Sequence, residues 1–201
     1  GSHDSVVNSA VGGSWLVGVS IAGSHDSILN STVTYNIRVG VSIAGSYDSV
    51  VDSTVSNNSG VGVKVAGDND SIVSSNVGGN VFGVKVAGSY NSIANSTVSY
   101  NRWFGVSVTG YGDSIIGSTV SHDGHGVYIN GSYDSVVDST VSNNRLFGVN
   151  ITGSHDSVVN SAVGGSWLVG VSIAGSHDSI LNSTVTYNIR VGVSIAGSYD
   201  S

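Results

Sequence analysis

Aspartate is the residue able to do chemistry that recurs most regularly. It occupies position 4 of a 22-residue repeat in nine copies, and Asn91 takes that place once: Asp4, Asp26, Asp48, Asp70, Asp113, Asp134, Asp156, Asp178 and Asp200. Carboxylates are ligands for Ca²⁺, so bridging by that cation is one hypothesis. We favour the alternative that each Asp accepts backbone N–H groups in its own turn, on a solvated edge. The copies lack the multi-aspartate loop of calcium-binding repeats, so we predict no metal site and no cofactor.

Histidine is the second group that could bind a metal. His3 and His25 lie one repeat apart and each precedes an aspartate, which would suit Zn²⁺ or Cu²⁺. A metal site also needs closed geometry and supporting hydrogen bonds, so we favour an exposed aromatic stack on a turn. The segment His122-Asp123-Gly124-His125 occurs only once. It is the first place to look for metal or acid–base chemistry, although we favour a solvated loop.

Large side chains gather at the variable positions 12–17 of the repeat. Exposed Trp and Arg are typical anchors of protein interfaces and of platforms for sugar rings. Trp is also often partly buried, so simple packing against the core is an equal alternative. We predict an interaction surface at six of these residues: Trp15, Arg38, Arg102, Trp103, Arg145 and Trp167.

The 22-residue repeat organises all of these groups. Every copy begins with Gly, and two copies have 21 residues. A fixed period of this length is the signature of a solenoid. We number the positions of the repeat from its first glycine and the coils in chain order. One continuous solenoid is predicted over 1–201, with coils at 1–22, 23–44, 45–66, 67–87, 88–109, 110–130, 131–152, 153–174 and 175–196 and a stub at 197–201.

The pattern within a coil predicts three short strands. Apolar residues stand at positions 6, 11, 19 and 21, as Val50, Val55, Val63 and Val65 do in the third coil. Positions 19–21 alternate as a half-buried strand does, whereas the spacing of positions 6 and 11 requires a bend between them. Asn or Asp at position 8 supplies that bend, Asn near position 14 a second corner, and positions 1–5 a third. Stacked coils would then lie about 4.8 Å apart.

The composition excludes several classes of function. Charged residues make up 9% of the 201 residues, and Cys is absent, which excludes disulfides and thiolate sites. The net charge of −7 disfavours nucleic acid and anionic membranes as partners, and no apolar run is long enough for a membrane span. Residues 153–201 repeat 1–49 at all 49 positions, which predicts a seven-coil module, 1–152, that begins again at residue 153.

The pattern N-S-T-V-S-N-N…G-V-x-V-x-G-S-x-D-S-V resembles the right-handed parallel β-helix repeats of NosD-like periplasmic copper-maturation proteins and of carbohydrate-active β-helix proteins. The resemblance covers the whole chain. It implies an all-β fold, a single-stranded right-handed parallel β-helix with three short strands in each coil of about 22 residues. That fold hosts lyases, epimerases, adhesins and plain fibres, so function must be argued from a site.

The basic residues argue against the lyase and epimerase chemistries of that fold. Such enzymes need a cleft with clustered carboxylates and an Arg or Lys that stabilises an enolate-like transition state. Six basic residues are present, and none is predicted beside an aspartate cluster: Arg38, Lys64, Lys85, Arg102, Arg145 and Arg190. The coils also lack the long insertions that build cleft walls. We therefore predict no catalytic residues and no enzymatic activity.

A structural role is the function that we predict from the sequence. The chain would be a repeat segment of an extracellular filament, surface fibre or adhesin stalk that assembles with itself, because uncapped coils leave unpaired strand edges. A cell-surface or extracellular location follows from that role. The alternative is a carbohydrate-binding or carbohydrate-active β-helix protein, with glycans as partners of the Trp and Arg corner. A third hypothesis is an ice-binding solenoid, based on outward pairs such as Thr32 and Thr34.

Overall fold

The fold is all-β, as the repeat pattern predicts. The computed structural model describes residues 2–201, so Gly1, the first of the predicted position-1 glycines, lies outside the described residues. The described chain forms 27 strands in three parallel sheets of nine strands each. Over the same residues, no helix is long and apolar enough to cross a membrane.

Each sheet collects one strand from every coil. Sheet 1 contains Ser5–Val7, Ser27–Leu29, Ser49–Val51, Ser71–Val73, Ser92–Ala94, Ser114–Ile116, Ser135–Val137, Ser157–Val159 and Ser179–Leu181. Sheet 2 contains Ala10–Gly12, Thr32–Thr34, Thr54–Ser56, Asn76–Gly78, Thr97–Ser99, Thr119–Ser121, Thr140–Ser142, Ala162–Gly164 and Thr184–Thr186. Sheet 3 contains Val17–Ile21, Val39–Ile43, Val61–Val65, Phe82–Val86, Phe104–Val108, His125–Ile129, Phe147–Ile151, Val169–Ile173 and Val191–Ile195.

Equivalent residues pair in register from coil to coil. Val50 lies beside Ile72, and Ile72 beside Ile93. The register survives in the two 21-residue coils because the missing residue falls in the link between position 14 and the strand of sheet 3. That link therefore varies in length without disturbing the stack.

A single apolar core runs through the middle of the three sheets. Val50, Val55 and Val63 have no exposed surface, and Val65 is only 2% exposed. This confirms the apolar positions predicted from the repeat. Each buried aliphatic side chain contributes about 1.5–3 kcal/mol, so the four from one coil are too few to hold it without its neighbours.

Three left-handed residues turn the chain in each coil. They stand at positions 3, 8 and 13, as Tyr47, Asp52 and Asn57 do in the third coil with φ of 62°, 48° and 55°. The predicted corner at position 8 is confirmed. The corner predicted near position 14 is made one residue earlier, because the asparagine at position 14 turns its side chain inward and is buried, as Asn58 is.

Candidate functional site

Three polar columns line the inside of the corners, at positions 4, 9 and 14. In each column the backbone N–H of a residue donates to the side chain of the residue at the same position in the next coil. Asp48 N–H donates to Asp70 Oδ1 at 2.8 Å, Ser53 N–H to Ser75 Oγ at 3.2 Å, and Asn58 N–H to Asn80 Oδ1 at 2.9 Å. These N–H groups follow a left-handed residue and are not in a strand ladder, so they need such a partner.

Sequence reasoning missed the serine column. The signal was available, because all nine complete coils carry Ser at position 9: Ser9, Ser31, Ser53, Ser75, Ser96, Ser118, Ser139, Ser161 and Ser183. From Ser31 onward, each hydroxyl accepts from the preceding coil and donates within its own coil, as Ser53 Oγ does to Val51 O at 2.8 Å.

The aspartate column differs from the predicted solvated edge. Asp48, Asp134 and Asp156 are each only 1% exposed. Their Oδ1 atoms accept from the preceding coil rather than from their own turn. The physical reason is the left-handed residue at position 3, which directs the next side chain inward. Burial raises the pKa of these carboxyls, to about 7 for Asp113 and Asp156. The Ca²⁺ hypothesis gains no support, since within residues 2–201 no cluster of three His, Asp or Glu side chains could hold an ion.

The histidines at position 3 form the aromatic stack that we favoured from the sequence. His3 and His25 have ring centroids 5.2 Å apart, and His25 stacks on Tyr47 at 5.1 Å. His155 and His177 lie 4.8 Å apart with an angle of 2° between their planes. Nitrogen lone pairs lie in the ring planes, so parallel stacked rings cannot direct them to one metal ion.

The unique cluster at 122–125 is dispersed over three environments. His122 is exposed at a left-handed corner and stacks on Tyr100, 4.8 Å between centroids. Asp123 takes the inward place that Asn occupies in neighbouring coils and is 2% exposed. His125 lies between Phe104 and Phe147, at centroid distances of 4.7 Å and 5.4 Å.

The same coil lines a concavity in the variable corner. Coil 110–130 has one residue, Gly124, between position 14 and the strand of sheet 3, where both neighbouring coils have two. We call the resulting gap the notch. It is a groove of about 290 Å³ lined by five residues: Arg102, Trp103, Gly124, Arg145 and Leu146.

Backbone hydrogen bonds hold the two sides of the notch to its floor. Gly124 N–H donates to Asn101 O at 3.2 Å, and Leu146 N–H donates to Gly124 O at 2.8 Å. Arg145 N–H donates to Asp123 O at 2.8 Å. The notch is therefore a built feature of three successive coils and does not depend on a free loop.

Two cations and one indole face solvent around the notch. Arg102 and Arg145 are exposed, and Trp103 is 50% exposed. Neither guanidinium has a hydrogen-bonding or ionic partner within residues 2–201. Three of the six predicted surface residues thus meet here, and the structure leaves Trp15, Arg38 and Trp167 in other coils along the same corner.

An aromatic row on the outside of sheet 3 continues from the notch. Phe104, His125 and Phe147 are half-buried and follow directly after Trp103, Gly124 and Leu146. Tyr128 lies beside them, with its ring centroid 5.6 Å from that of Phe104. The Nδ1 atom of His125 is buried without a partner, and burial lowers the pKa of this imidazole. The ring is therefore neutral near pH 7.

Solved structures with this fold include enzymes. Pectate lyase Pel9A is 13% identical, with a TM-score of 0.60 over 90% of this chain and 56% of that chain. The periplasmic alginate epimerase AlgG is 15% identical, with a TM-score of 0.58 over 88% of this chain and 45% of that chain. A double mutant of that epimerase gives a TM-score of 0.67 over 96% and 50%. The chain thus spans about half the length of these structures, and the likeness shows the fold.

These comparisons overturn two predictions made from the sequence. The role as an extracellular filament, surface fibre or adhesin stalk was wrong, and so was the expectation of no enzymatic activity, because the neighbours are a pectate lyase and alginate epimerases. The alternative, a carbohydrate-binding or carbohydrate-active β-helix, is the class to which these named neighbours belong. The sequence argument rests on the absence of long insertions that build cleft walls. Here a groove arises from the opposite change, the loss of one residue in coil 110–130.

A family model described as periplasmic copper-binding protein (NosD) matches residues 1–116. The question is therefore whether the side chains of this chain could bind copper. Cu(I) favours thiolate and thioether ligands, and the chain has neither Cys nor Met. The imidazoles at position 3 stack face to face, as His3 does on His25. The donor set of this chain therefore does not fit a copper site.

Two family models together account for every residue. The second, described as right handed beta helix region, matches residues 82–201. Each model alone matches more than half of the chain. No curated protein sequence matches it. The chain therefore belongs to the right-handed β-helix repeat family that these models describe.

Proposed function

We propose that the chain is a carbohydrate-active β-helix segment that binds an acidic polysaccharide at the notch. The observation that carries the proposal is the position of Arg102 and Arg145 on either side of Gly124, with Trp103 beside them. Guanidinium groups bind carboxylates through paired hydrogen bonds. An indole offers an apolar face to a sugar ring and a polar N–H at its edge. A polymer of uronic acids presents both a carboxylate and a ring face at every residue.

The names of the structural neighbours support this ligand class. Pectate and alginate are both polymers of uronic acids, and the pectate lyase and the alginate epimerase share the fold at TM-scores of 0.60 and 0.58. The epimerase and the NosD family are both described as periplasmic. We accordingly propose that this chain works outside the cytoplasm, in a periplasm or beyond it.

The chemistry we propose begins with removal of the hydrogen at C5 of a uronate residue as a proton. The electron pair then either expels the O4-linked sugar and leaves a C4–C5 double bond, or takes a proton from water at C5 on the opposite face. The C5 hydrogen is acidic because the adjacent carboxylate, once neutralised, can accept the electron pair as an enolate. Arg102 and Arg145 would neutralise the carboxylate and stabilise the enolate. His125 is neutral near pH 7 and follows the floor of the notch directly, so we propose it as the general base.

We expect the double substitution Arg102→Ala and Arg145→Ala to weaken binding of polygalacturonate or alginate by at least about 10-fold. Each lost charge-assisted hydrogen bond to a carboxylate removes about 1.5–3 kcal/mol. The measurement is isothermal titration calorimetry of the purified chain with oligomers of each polymer. Binding should also weaken as salt is raised, because exposed charge pairs are screened.

The chain offers a matched control for charge. The double substitution Arg38→Ala and Arg190→Ala also removes two positive charges from the same corner. These arginines lie in coils 23–44 and 175–196, outside the notch. We expect this variant to bind like the unaltered chain. Equal loss of affinity in both double variants, or no binding of either polyuronate by the unaltered chain, would contradict the proposal.

We expect His125→Phe to abolish turnover of the bound polyuronate while leaving its affinity within about twofold. Phenylalanine already stands at the same position in the neighbouring coils, as Phe104 and Phe147, so the aromatic row is preserved. Loss of a positioned general base typically lowers the rate by about 10²–10⁴-fold. The readouts are the ultraviolet absorbance of unsaturated uronates and the ratio of C5 epimers. Turnover that survives this substitution would exclude His125 as the base.

A further inference from the structure

Asn91 shows what the inward side chain at position 4 does when it has a donor. Its Oδ1 accepts from Asp70 N–H at 2.9 Å, as an aspartate Oδ1 does in the other coils. Its Nδ2 donates to Gly67 O, the carbonyl at position 1 of the preceding coil, at 3.0 Å. The asparagine therefore satisfies both ends of its amide inside the stack.

The aspartates of this column place Oδ2 where Asn91 has its donor. The space above Gly67 shows the arrangement: a Cβ built there would lie 2.8 Å from Asp70 Oδ2 and closer still to Gly45 O. Both oxygens thus face the same small space. Seven Oδ2 atoms in this column are buried and have no partner: Asp48, Asp70, Asp113, Asp134, Asp156, Asp178 and Asp200. An ionised carboxylate there would point a lone pair of Oδ2 at a lone pair of the glycine carbonyl oxygen, and Oδ2 is buried from solvent.

We propose that six inward aspartates at position 4 are proton-binding sites, in which the protonated Oδ2 donates a hydrogen bond to the glycine carbonyl of the preceding coil: Asp48, Asp70, Asp113, Asp134, Asp156 and Asp178. The proton converts two facing acceptors into the same hydrogen bond that Asn91 makes. It also removes a buried charge, whose desolvation is expensive. On this account the solenoid takes up protons as it folds.

The charged groups around the column modulate this uptake. Burial is the largest cause of the raised pKa values, and neighbouring aspartates add to it, including Asp68 beside Asp70 and Asp113. His25 acts in the opposite direction on Asp48, as do His155 and His177 on Asp178. The strongest proton binding is therefore expected in the middle of the stack, at Asp113 and Asp156, whose pKa is about 7.

Asp123 provides an independent case in another column. Asn80, in the equivalent place, donates from Nδ2 to Asn101 Oδ1 at 3.2 Å and to Val55 O at 3.3 Å. Asp123 accepts at Oδ1 from Asn101 Nδ2 at 2.9 Å, but its Oδ2 is buried and has no partner. Burial raises the pKa of Asp123 to about 7, although the hydrogen bonds from Asn101 act in the opposite direction. A proton on Oδ2 would restore the missing donor.

The direction of the pH effect follows from linkage. The folded-state pKa of these carboxyls lies above the unfolded value of 3.8, so the folded chain binds more protons between about pH 4 and pH 7. Their contribution to stability is fully present below the unfolded pKa and is lost as pH rises through about 7. Paired surface carboxylates produce the opposite trend.

The test compares the full chain with Asp113→Asn and Asp123→Asn in urea unfolding between pH 5 and pH 8, with EDTA present throughout. For the unaltered chain we expect the unfolding constant to rise with pH, by up to about tenfold per pH unit for each carboxyl. In Asp113→Asn and in Asp123→Asn the slope should correspond to up to one fewer proton released on unfolding. Both variants should unfold at higher urea than the unaltered chain at pH 8. Asp138→Asn, which changes an exposed carboxyl at position 8, should leave the slope unchanged.

Carbon-13 NMR of the side-chain carboxyls provides a second readout that packing alone would not move. At pH 6 the Cγ shifts of Asp113, Asp123 and Asp156 should be those of carboxylic acids, and each substituted residue should lose its signal from that group. Ionised shifts for all three in the folded chain at pH 6 would overturn the proposal. So would a pH slope that is the same in all three Asn variants and the unaltered chain.

Discussion

Gly67→Ala is expected to lower the free energy of unfolding by at least about 3 kcal/mol, the upper end of the range for overpacking a filled interior. The added Cβ would overlap the carbonyl oxygen of Gly45 and approach Asp70 Oδ2 at 2.8 Å. Because the obstacle is the backbone of the preceding coil, no side-chain rotation can relieve it. The two coils would have to separate at the point where sheet 1 begins. Urea unfolding followed by circular dichroism would measure the loss.

Gly117→Asn is the matched control for that change. Gly117 is left-handed, with φ of 56°, and the equivalent residues of the adjacent coils are Asn95 and Asp138. An added Cβ would meet Asn95 Oδ1, the end of a flexible side chain. Asparagine tolerates this φ, so we expect a change within about 0.5 kcal/mol. Equal stability of Gly67→Ala and the unaltered chain would show that the coils can separate freely.

Asn80→Ala is the second substitution with a large expected effect. Asn80 Oδ1 accepts from Asn58 N–H at 2.9 Å and from Asn58 Nδ2 at 3.0 Å, and all of these groups are buried. The substitution would leave two N–H bonds of Asn58 without an acceptor inside the stack, the backbone N–H and one N–H of Nδ2, while the other N–H of Nδ2 keeps Val33 O at 3.4 Å. Each unsatisfied buried group costs about 1–3 kcal/mol, so a loss of roughly 2–6 kcal/mol is expected in urea unfolding.

The same coil provides the control for Asn80→Ala. Asn76 is exposed on sheet 2, and Ala occupies the same position in two other coils, as Ala10 and Ala162. Asn76→Ala should therefore change the free energy of unfolding by less than about 0.5 kcal/mol. Similar losses in both variants would mean that the asparagine column contributes no more than an exposed side chain does.

The consequence for the notch is that its position depends on these columns. Asn101 and Asp123 belong to the column at position 14, and their backbone carbonyls accept from Gly124 and Arg145. The inner hydrogen bonds thus fix the height of the two arginine-bearing coils relative to the shortened one. A binding surface on this fold can change by altering one link while the columns keep the register.

The period, the strands and the core could be predicted from the sequence alone. Those features are local: apolar residues at positions 6, 11, 19 and 21 can face one interior only if the chain bends between them, and Asn or Asp at position 8 permits the bend. The glycine that opens every coil was also visible in the sequence, although its reason was not. That reason is a backbone carbonyl of the preceding coil, 21 or 22 residues earlier in the chain.

Side-chain direction at the corners, and the grouping of residues into a site, were decided only by the tertiary structure. A turn with Asp at position 4 is compatible with an exposed or a buried carboxyl. The choice depends on the N–H group of the preceding coil, as Asp48 N–H requires Asp70 Oδ1. Arg102 and Arg145 are 43 positions apart and meet because stacking sets their coils on either side of Gly124. Contacts between coils hold this information, and no single repeat contains it.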